Sequence, residues 1–484
     1  MFAQRPVWSD PFSSPFEPEA TPPVLSVSHD EPVVSAPPPL VAGAGGQPAQ
    51  AALFSHYAED DLAKMLARVE ATHDPKEKLL LWQKYEAKKG ESDLERHGAN
   101  KGAWFPDDDD RKQQARNRRR ISAVKGESAE IERDVKRLLK KKKLRERDVD
   151  DLIERKTLEH DLEMKYALEM TSAKQRGNGS SIEWDQEELI AARDALAKLP
   201  AEHLDALWEM RREEDDGSAY GFAASQDGHK VNVYDAGRDD AHAMVHEIGH
   251  VVAEKQNPDA YAKYQEAAGW KELRYQDLRK LGITGDQIQG LKDTRFESSE
   301  KRHTIHKNGK VYMIDPYTDG GYLVVDETAV PKKDEATKQP DGDDAWEYAR
   351  SSQREHFAEH YARAVDDHET VYADLVGLPA QREQAAQKAY ADAQARGSKP
   401  EIAEAAKQLA LAQKAQKQRK AQFDIMRDDV FDTDKSTRDA AARLGKQGLA
   451  PGLMRDFEAE AAKLSTPEQV RALEQRTAAG IPKP

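Results

Sequence analysis

The 484-residue chain has no cysteine. That absence excludes disulfides, thiolate metal sites and cysteine nucleophiles together. Histidine and carboxylate are left as the side chains open to a transition metal. No apolar run approaches the roughly 18–20 residues needed to cross a bilayer, so a soluble protein with no membrane partner is expected. The opening residues, Met1-Phe2-Ala3-Gln4-Arg5-Pro6, lack the apolar stretch of a secretory signal. Export, where it occurs, is expected to use another route; the alternative is a cytoplasmic protein. Aromatic residues are scarce at 7%, and hydrophobic residues reach only 38% against 34% charged. That balance argues against one core spanning the whole length and for thin helical layers or unstructured stretches. A basic surplus is missing too: the net charge of −15 counts against nucleic acid as the main partner.

What is present divides the chain into four regions. Residues 1–50 are rich in Pro, Ala, Ser and Gly, with Pro37-Pro38-Pro39, and are expected to be a disordered leader. Such a leader suits a loading or export tag for secretion or injection machinery, and equally a plain solvated tail. Residues 51–180 form a charged helical accessory region. Leu62, Met65, Leu66 and Val69 recur at helical spacing, and Ile131 to Met170 reads as one long amphipathic helix. Within it, Lys140 to Lys143 reads as a solvated face rather than a nucleic-acid or membrane contact. Gly177-Asn178-Gly179-Ser180-Ser181 reads as a linker. Residues 181–377 are more globular, with helices near Gln186–Leu199 and Glu202–Glu213 and a strand at Lys230–Tyr234. A meander at Thr304–His306, Lys310–Ile314 and Tyr322–Asp326 turns first at Asn308-Gly309, a strong hairpin signal. Residues 378–484 are helical, beginning with an Ala-rich hairpin around Arg396–Pro400, suited to packing on a neighbour. The expected fold class is α+β, mostly helical, with a small β-sheet.

Chemistry concentrates in His246-Glu247-Ile248-Gly249-His250. On a helix, residues four apart share a face, so the two imidazoles can hold one ion. Glu247 falls about 100° around, where it can act as general base towards a metal-activated water. Zinc lowers the pKa of such a water to about 7. Ala241, Met244, Val245, Ile248, Val251 and Val252 occupy one arc opposite the histidines. The helix, expected from about Asp239 to Glu254, thus has a core face and a site face, with Asp239 and Asp240 as capping residues. His242 continues the site face. It lies about 12 Å along the axis from His250 at 1.5 Å per residue, too far to share the ion.

A catalytic zinc usually takes a third protein ligand and keeps one position open. The helix expected over Ser352–Val365 offers Glu355, His356, Glu359 and His360. Phe357, Ala358, Tyr361, Ala362, Ala364 and Val365 form its apolar arc. His356, His360 and Arg363 point the other way, and Glu355 and Glu359 sit near one edge of the arc. Glu355 is therefore the better ligand, and Glu359, one turn on, is placed to orient a ligating histidine. Two alternatives stay open: Ser352-x-x-Glu355 fits a capping box, and His356-x-x-Glu359-His360 fits an inverted zinc motif.

His246-Glu247-x-x-His250 followed by Glu355-x-Phe357-Ala358-Glu359 resembles the gluzincin metallopeptidases, most of all the lethal-factor-like bacterial zinc toxins. The resemblance implies a zincin-like domain, zinc as cofactor, Glu355 as third ligand and a protein substrate. It also implies a catalytic role for Tyr348, seven residues before that ligand, whose phenol could stabilise an oxyanion. It covers residues 239–365, roughly a quarter of the chain. The segment between the two motifs is longer here, and the flanking regions do not share the likeness. A strand just upstream, Val231–Tyr234, is the expected edge for holding substrate by β-addition.

Two functions follow as expectations. The first is a zinc endopeptidase acting as an exported bacterial toxin or effector. The alternative is a structural or cargo-adaptor component of a phage-like or contractile injection particle, suggested by the charged helices and the Ala-rich hairpin.

Overall fold

Helix boundaries follow capping chemistry written in the chain. Asp185 accepts from the amide of Glu188, whose carboxylate returns to the amide of Asp185, and Thr284 with Gln287 and Thr466 with Gln469 repeat the arrangement. The computed structural model describes residues 48–98, 108–173, 182–213, 222–224, 228–234, 241–294, 303–315, 321–331, 346 and 348–481, with the backbone alone at 48–58, 108, 222–224 and 348. The expected leader up to residue 47, the linker at 177–181 and the caps Asp239 and Asp240 lie outside these residues. The fold is mostly helical, 73%, with small sheets.

Helices α1 (Pro48–Glu70), α2 (Pro75–Gly98), α3 (Asp108–Leu139) and α4 (Glu146–Tyr166) lead into strand β1 (Glu169–Ser172). The single helix expected over Ile131–Met170 is therefore broken. Lys140 to Lys143 form the turn between α3 and α4, where Asp148 accepts from the amide of Arg145 and starts a new helix. Next come α5 (Gln186–Ala197), a short α6 (Ala201–Leu204), and strands β2 (Glu209–Arg212), β3 (Phe222–Ala224) and β4 (Lys230–Val233). The helix expected over Glu202–Glu213 is thus a single turn followed by a strand. Met210 is buried and Arg212 is neutralised by Glu188 at 2.7 Å, so a charged tetrapeptide holds a place in a sheet.

That sheet has the order β1-β2-β4-β3, parallel except for β3, which runs antiparallel along its edge. Strand β4 has a neighbour on each side. It is not the edge that the sequence suggested; among the described residues the edges are β1 and β3.

Behind the sheet lies α7 (Ala241–Val251), extended by a π-helical turn at Val252–Gln256. Then α8 (Pro258–Ala268) leads to a second sheet built from β5 (Lys271–Leu273), β6 (Ile305–Lys307), β7 (Lys310–Ile314) and β8 (Tyr322–Asp326), with α9 (Tyr275–Lys280) and α10 (Gly285–Asp293). Its order is β5-β8-β7-β6, all antiparallel. Asn308 and Gly309 turn the expected hairpin with φ of 53° and 69°, the left-handed pair that a tight turn requires. Helix α11 (Gln353–Asp366) and α12 (His368–Tyr372) follow, then α13 (Leu378–Arg396) and α14 (Lys399–Asp424), the expected hairpin. The chain ends in α15 (Thr433–Lys446), α16 (Pro451–Ala461) and α17 (Pro467–Ala479), which share a small core of their own.

The largest apolar core includes Leu162, Leu168, Met170, Val231, Phe357, Tyr361, Met426 and Phe431. It draws on segments on both sides of the boundaries expected at 180 and 378. Met244, Val245, Ile248 and Val251 of α7, with Val252 of the π-helical turn, enter it, each fully buried. Each such side chain contributes about 1.5–3 kcal/mol over an exposed position. Packing alone therefore fixes the orientation of α7 and aims its opposite face at α11.

Candidate metal centre

Helices α7 and α11 pack closely because Gly249 faces α11 without a side chain. A Cβ there would lie 3.2 Å from Cα of Ala358 and 3.1 Å from Cδ1 of Tyr361. This approach brings the expected ligands together. Nε2 of His246 lies 2.9 Å and Nε2 of His250 3.3 Å from the same oxygen, Oε2 of Glu355. The ligand atoms of His246, Glu247 and His250 lie within 4.8 Å of one another, a buried group that could hold a metal ion. It is the one such group among the described residues.

The spacing suits a cation. Ligands at about 2.0–2.1 Å from a tetrahedral centre stand roughly 3.3 Å apart. The two measured separations are close to that value, and two imidazoles with one carboxylate are a donor set that zinc takes. All three side chains are buried, with His246 at 6%, His250 at 8% and Glu355 at 3% exposure. Burial works against charge on Glu355, but His250 and His246 outweigh it and hold the carboxyl well below the usual range. Burial likewise opposes protonation of His246, yet Glu355 and Glu359 overcome it and raise the imidazole well above its ordinary value. A metal arriving here has a proton to displace from His246, so uptake is expected to weaken in acid.

Ser352 does cap α11, accepting from the amide of Glu355 at 3.2 Å. The reciprocal half of a capping box is not formed, because the Glu355 side chain turns to the imidazoles. Cap and ligand are thus compatible: the backbone of Glu355 serves one and its carboxylate the other. Glu359 stands where the sequence put it, with Oε2 accepting from Nδ1 of His246 at 3.2 Å. Its other oxygen lies 2.6 Å from Nε of Arg363 and 3.7 Å from Nε2 of His242. Burial favours a neutral Glu359, but its bonds to His242 and His246 outweigh that and hold its pKa low.

The inverted motif does not assemble. Nδ1 of His356 accepts from the Trp270 indole at 3.0 Å, and Nδ1 of His360 meets the Tyr264 hydroxyl at 3.0 Å. Both rings are fully buried. Burial drives His356 down to about 3 and His360 well below its ordinary value. Meanwhile Glu359 looks the other way, towards His246. These histidines do lie opposite the arc of Phe357 and Tyr361, but the opposite side is a second core with Trp270 and Trp346 rather than solvent. Arg363, grouped with them by the helical arcs, instead curls back along the helix to Glu359. The backbone of Tyr348 sits in a 3-10 turn just before α11; its side chain lies outside the described residues.

No family model, no curated protein and no solved structure matches the chain. The site stands on its own geometry.

Two contributors had no clear sequence signal. Behind Glu359 runs a chain of contacts: His242 Nδ1 lies 2.9 Å from Asp366, and Asp366 2.6 Å from Lys198. The position of His242 on the site face of α7 was legible. Asp366 and Lys198, 168 residues apart, become partners only through the fold.

Proposed function

We propose that the chain is a zinc-dependent endopeptidase of the gluzincin type, with His246, His250 and Glu355 as metal ligands and Glu247 as general base. The observation that carries this reading is the convergence of both imidazole Nε2 atoms on one oxygen of Glu355, with Glu247 beside them. Zinc bound there would act as a Lewis acid and bring the pKa of a coordinated water to about 7. Glu247 then takes the proton from the attacking water and passes it to the leaving amine. Glu359 holds His246 through Nδ1, which leaves Nε2 facing the site. Tyr348, in the turn before α11, remains the proposed source of a phenol for the oxyanion.

The surroundings support a zincin-like reading. Strand β3 packs beside α7 and has β4 as its neighbour in the sheet order, so a peptide adding as a strand has β3, not β4, to pair with. Protein substrates, and delivery from a bacterium by secretion or injection machinery through the leader, belong to the same proposal.

The test uses Glu247→Ala. Purified wild type is expected to hold one zinc per chain and to cleave proteins in a target-cell lysate, read as new N-termini. The variant should retain the zinc and lose about 10²–10⁴-fold in rate. Cleavage at the wild-type rate by Glu247→Ala would remove the assignment.

One observation favours the adaptor alternative as a second role. Between Pro379 and Arg419 the hairpin of α13 and α14 has no buried residue, though Lys414 and Gln418 tie its base to Asp326 of β8. An adaptor would co-purify with a particle and assemble unchanged as Glu247→Ala. Absence of any particle association would count against it.

A further inference from the structure

Nδ1 of His246 donates to Glu359, but that carboxylate has two oxygens and a rotatable stem. Something must decide which oxygen faces the histidine. Nε of Arg363 lies 2.6 Å from Oε1 of Glu359, one helical turn away on α11. Oε2 is then left for His246 at 3.2 Å. Both side chains are nearly closed from solvent, Arg363 at 7% and Glu359 at 8%. Little water is at hand to replace the pairing. His242 adds a looser hold on the same Oε1 at 3.7 Å and is itself tied to Asp366 at 2.9 Å.

We propose that Arg363 is a positioning residue for the metal centre: its guanidinium fixes the Glu359 carboxylate so that His246 keeps its Nδ1 proton engaged and presents Nε2 to the metal. The inference rests on the zinc reading above. Arg363 reaches His246 through the Glu359 carboxylate. Spacing supports the role, since a Glu followed by an Arg four residues later is a favourable helical pair. On a surface such a pair is worth little. Here it is buried and locks a side chain that a ligand depends on. Partners of this kind around metal-binding histidines commonly set affinity by about 10–100-fold.

The test measures zinc affinity of the full chain by competition with a chromophoric chelator, for wild type, Arg363→Met, Arg363→Lys and His246→Ala. Melting of the metal-free proteins is followed by circular dichroism. Arg363→Met should bind zinc about tenfold more weakly than wild type. Arg363→Lys should fall between, because an ammonium restores the charge without the planar fork. A merely structural Arg363 would lower the melting temperature and leave zinc affinity of the folded protein unchanged; that result overturns the proposal. Should Arg363→Met fail to fold, Arg363→Lys decides by the same criterion. Zinc-loaded wild type carrying ¹⁵N-histidine gives a further readout, with His246 expected to be protonated at Nδ1 and coordinated through Nε2. Coordination through Nδ1 would also overturn the proposal. A wild type that binds no zinc, with His246→Ala indistinguishable from it, overturns the metal reading itself. An unchanged Arg363→Met alongside a zinc-binding wild type overturns this inference alone.

Discussion

Two of the regions that bury ionisable side chains arrange them differently. In the layer of α2, α3 and α4, the buried groups include Glu86, Asp93, Glu127, Lys156, Glu159, His160 and Glu163. There the single imidazole of His160 spends both nitrogens, Nε2 on Asp93 at 3.2 Å and Nδ1 on Glu127 at 2.7 Å. Lys156 bridges Glu130 and Glu159 in the same spirit. Charges are dispersed pairwise, and among the described residues the layer holds no group able to take up a metal. Between α7 and α11, His246 also spends both nitrogens, on Glu355 and Glu359, but there a second imidazole, that of His250, meets the same oxygen of Glu355. Buried charge as such does not mark a functional site. Convergence of several ligand atoms on one point is what singles out the group between α7 and α11 as one that could hold a metal ion.

The largest expected effect sets one histidine against another. His246→Ala should abolish stoichiometric zinc uptake, measured by metal analysis after equilibrium dialysis. His160→Gln should bind zinc as wild type does. Loss of zinc from His160→Gln would collapse the contrast, because it would make the helical layer part of the metal centre.

Stability should reverse the ranking. Breaking a buried ion pair on one side costs about 3–5 kcal/mol, and His160→Gln strands both Asp93 and Glu127. Urea unfolding at pH 7 should report a loss of that order. Burial opposes charging of His160, but Asp93 and Glu127 outweigh it and raise the imidazole to about 10. Its folded pKa therefore lies above the unfolded value near 6.5. The stabilisation is fully present below about 6.5 and is lost as pH rises through 10. The gap between wild type and His160→Gln should narrow from pH 7 to 10.5. A gap that stayed constant would mean that His160 contributes by packing rather than by charge.

How far each region was legible in the sequence follows from the range of the interactions. The two faces of α7 could be read because its 3.6-residue period separates Met244, Val245, Ile248 and Val251 from the histidines, and the position of Glu355 could be read from its place at the edge of the Phe357–Tyr361 arc. Strands β1 and β2 could not. Glu169-Met170-Thr171-Ser172 and Glu209-Met210-Arg211-Arg212 show no apolar alternation, and what makes them strands is parallel pairing with each other across 40 residues. Arg212 is held in the sheet by Glu188 together with the carbonyl oxygens of Glu213 and Val233. The same limit hid the surroundings of His356 and His360. Helical arcs separate one face of a helix from the other, but they do not say whether the second face meets water or another core.

The smallest effect compares two glycines within helices, one in each region. In α7, a methyl group at position 249 would press on backbone, Cα of Ala358 at 3.2 Å, as well as on the Tyr361 ring. In α2, a methyl at position 90 would meet Cγ1 of Val124 at 3.4 Å and Oγ of Ser128 at 3.6 Å, ordinary contact distances. Alanine in a helix gains about 0.8–1 kcal/mol over glycine. At position 90 little opposes that gain, so Gly90→Ala should stabilise the chain by about 0.5–1 kcal/mol. At position 249 overpacking costs about 1–3 kcal/mol, and the net change should be a loss of about 1 kcal/mol. Any shift that relieves the crowding carries His250 away from Glu355, so Gly249→Ala should also weaken zinc binding. Equal and favourable effects at both positions would show that α7 can move off α11 freely. The close approach would then be incidental, and the convergence on Glu355 would need another cause.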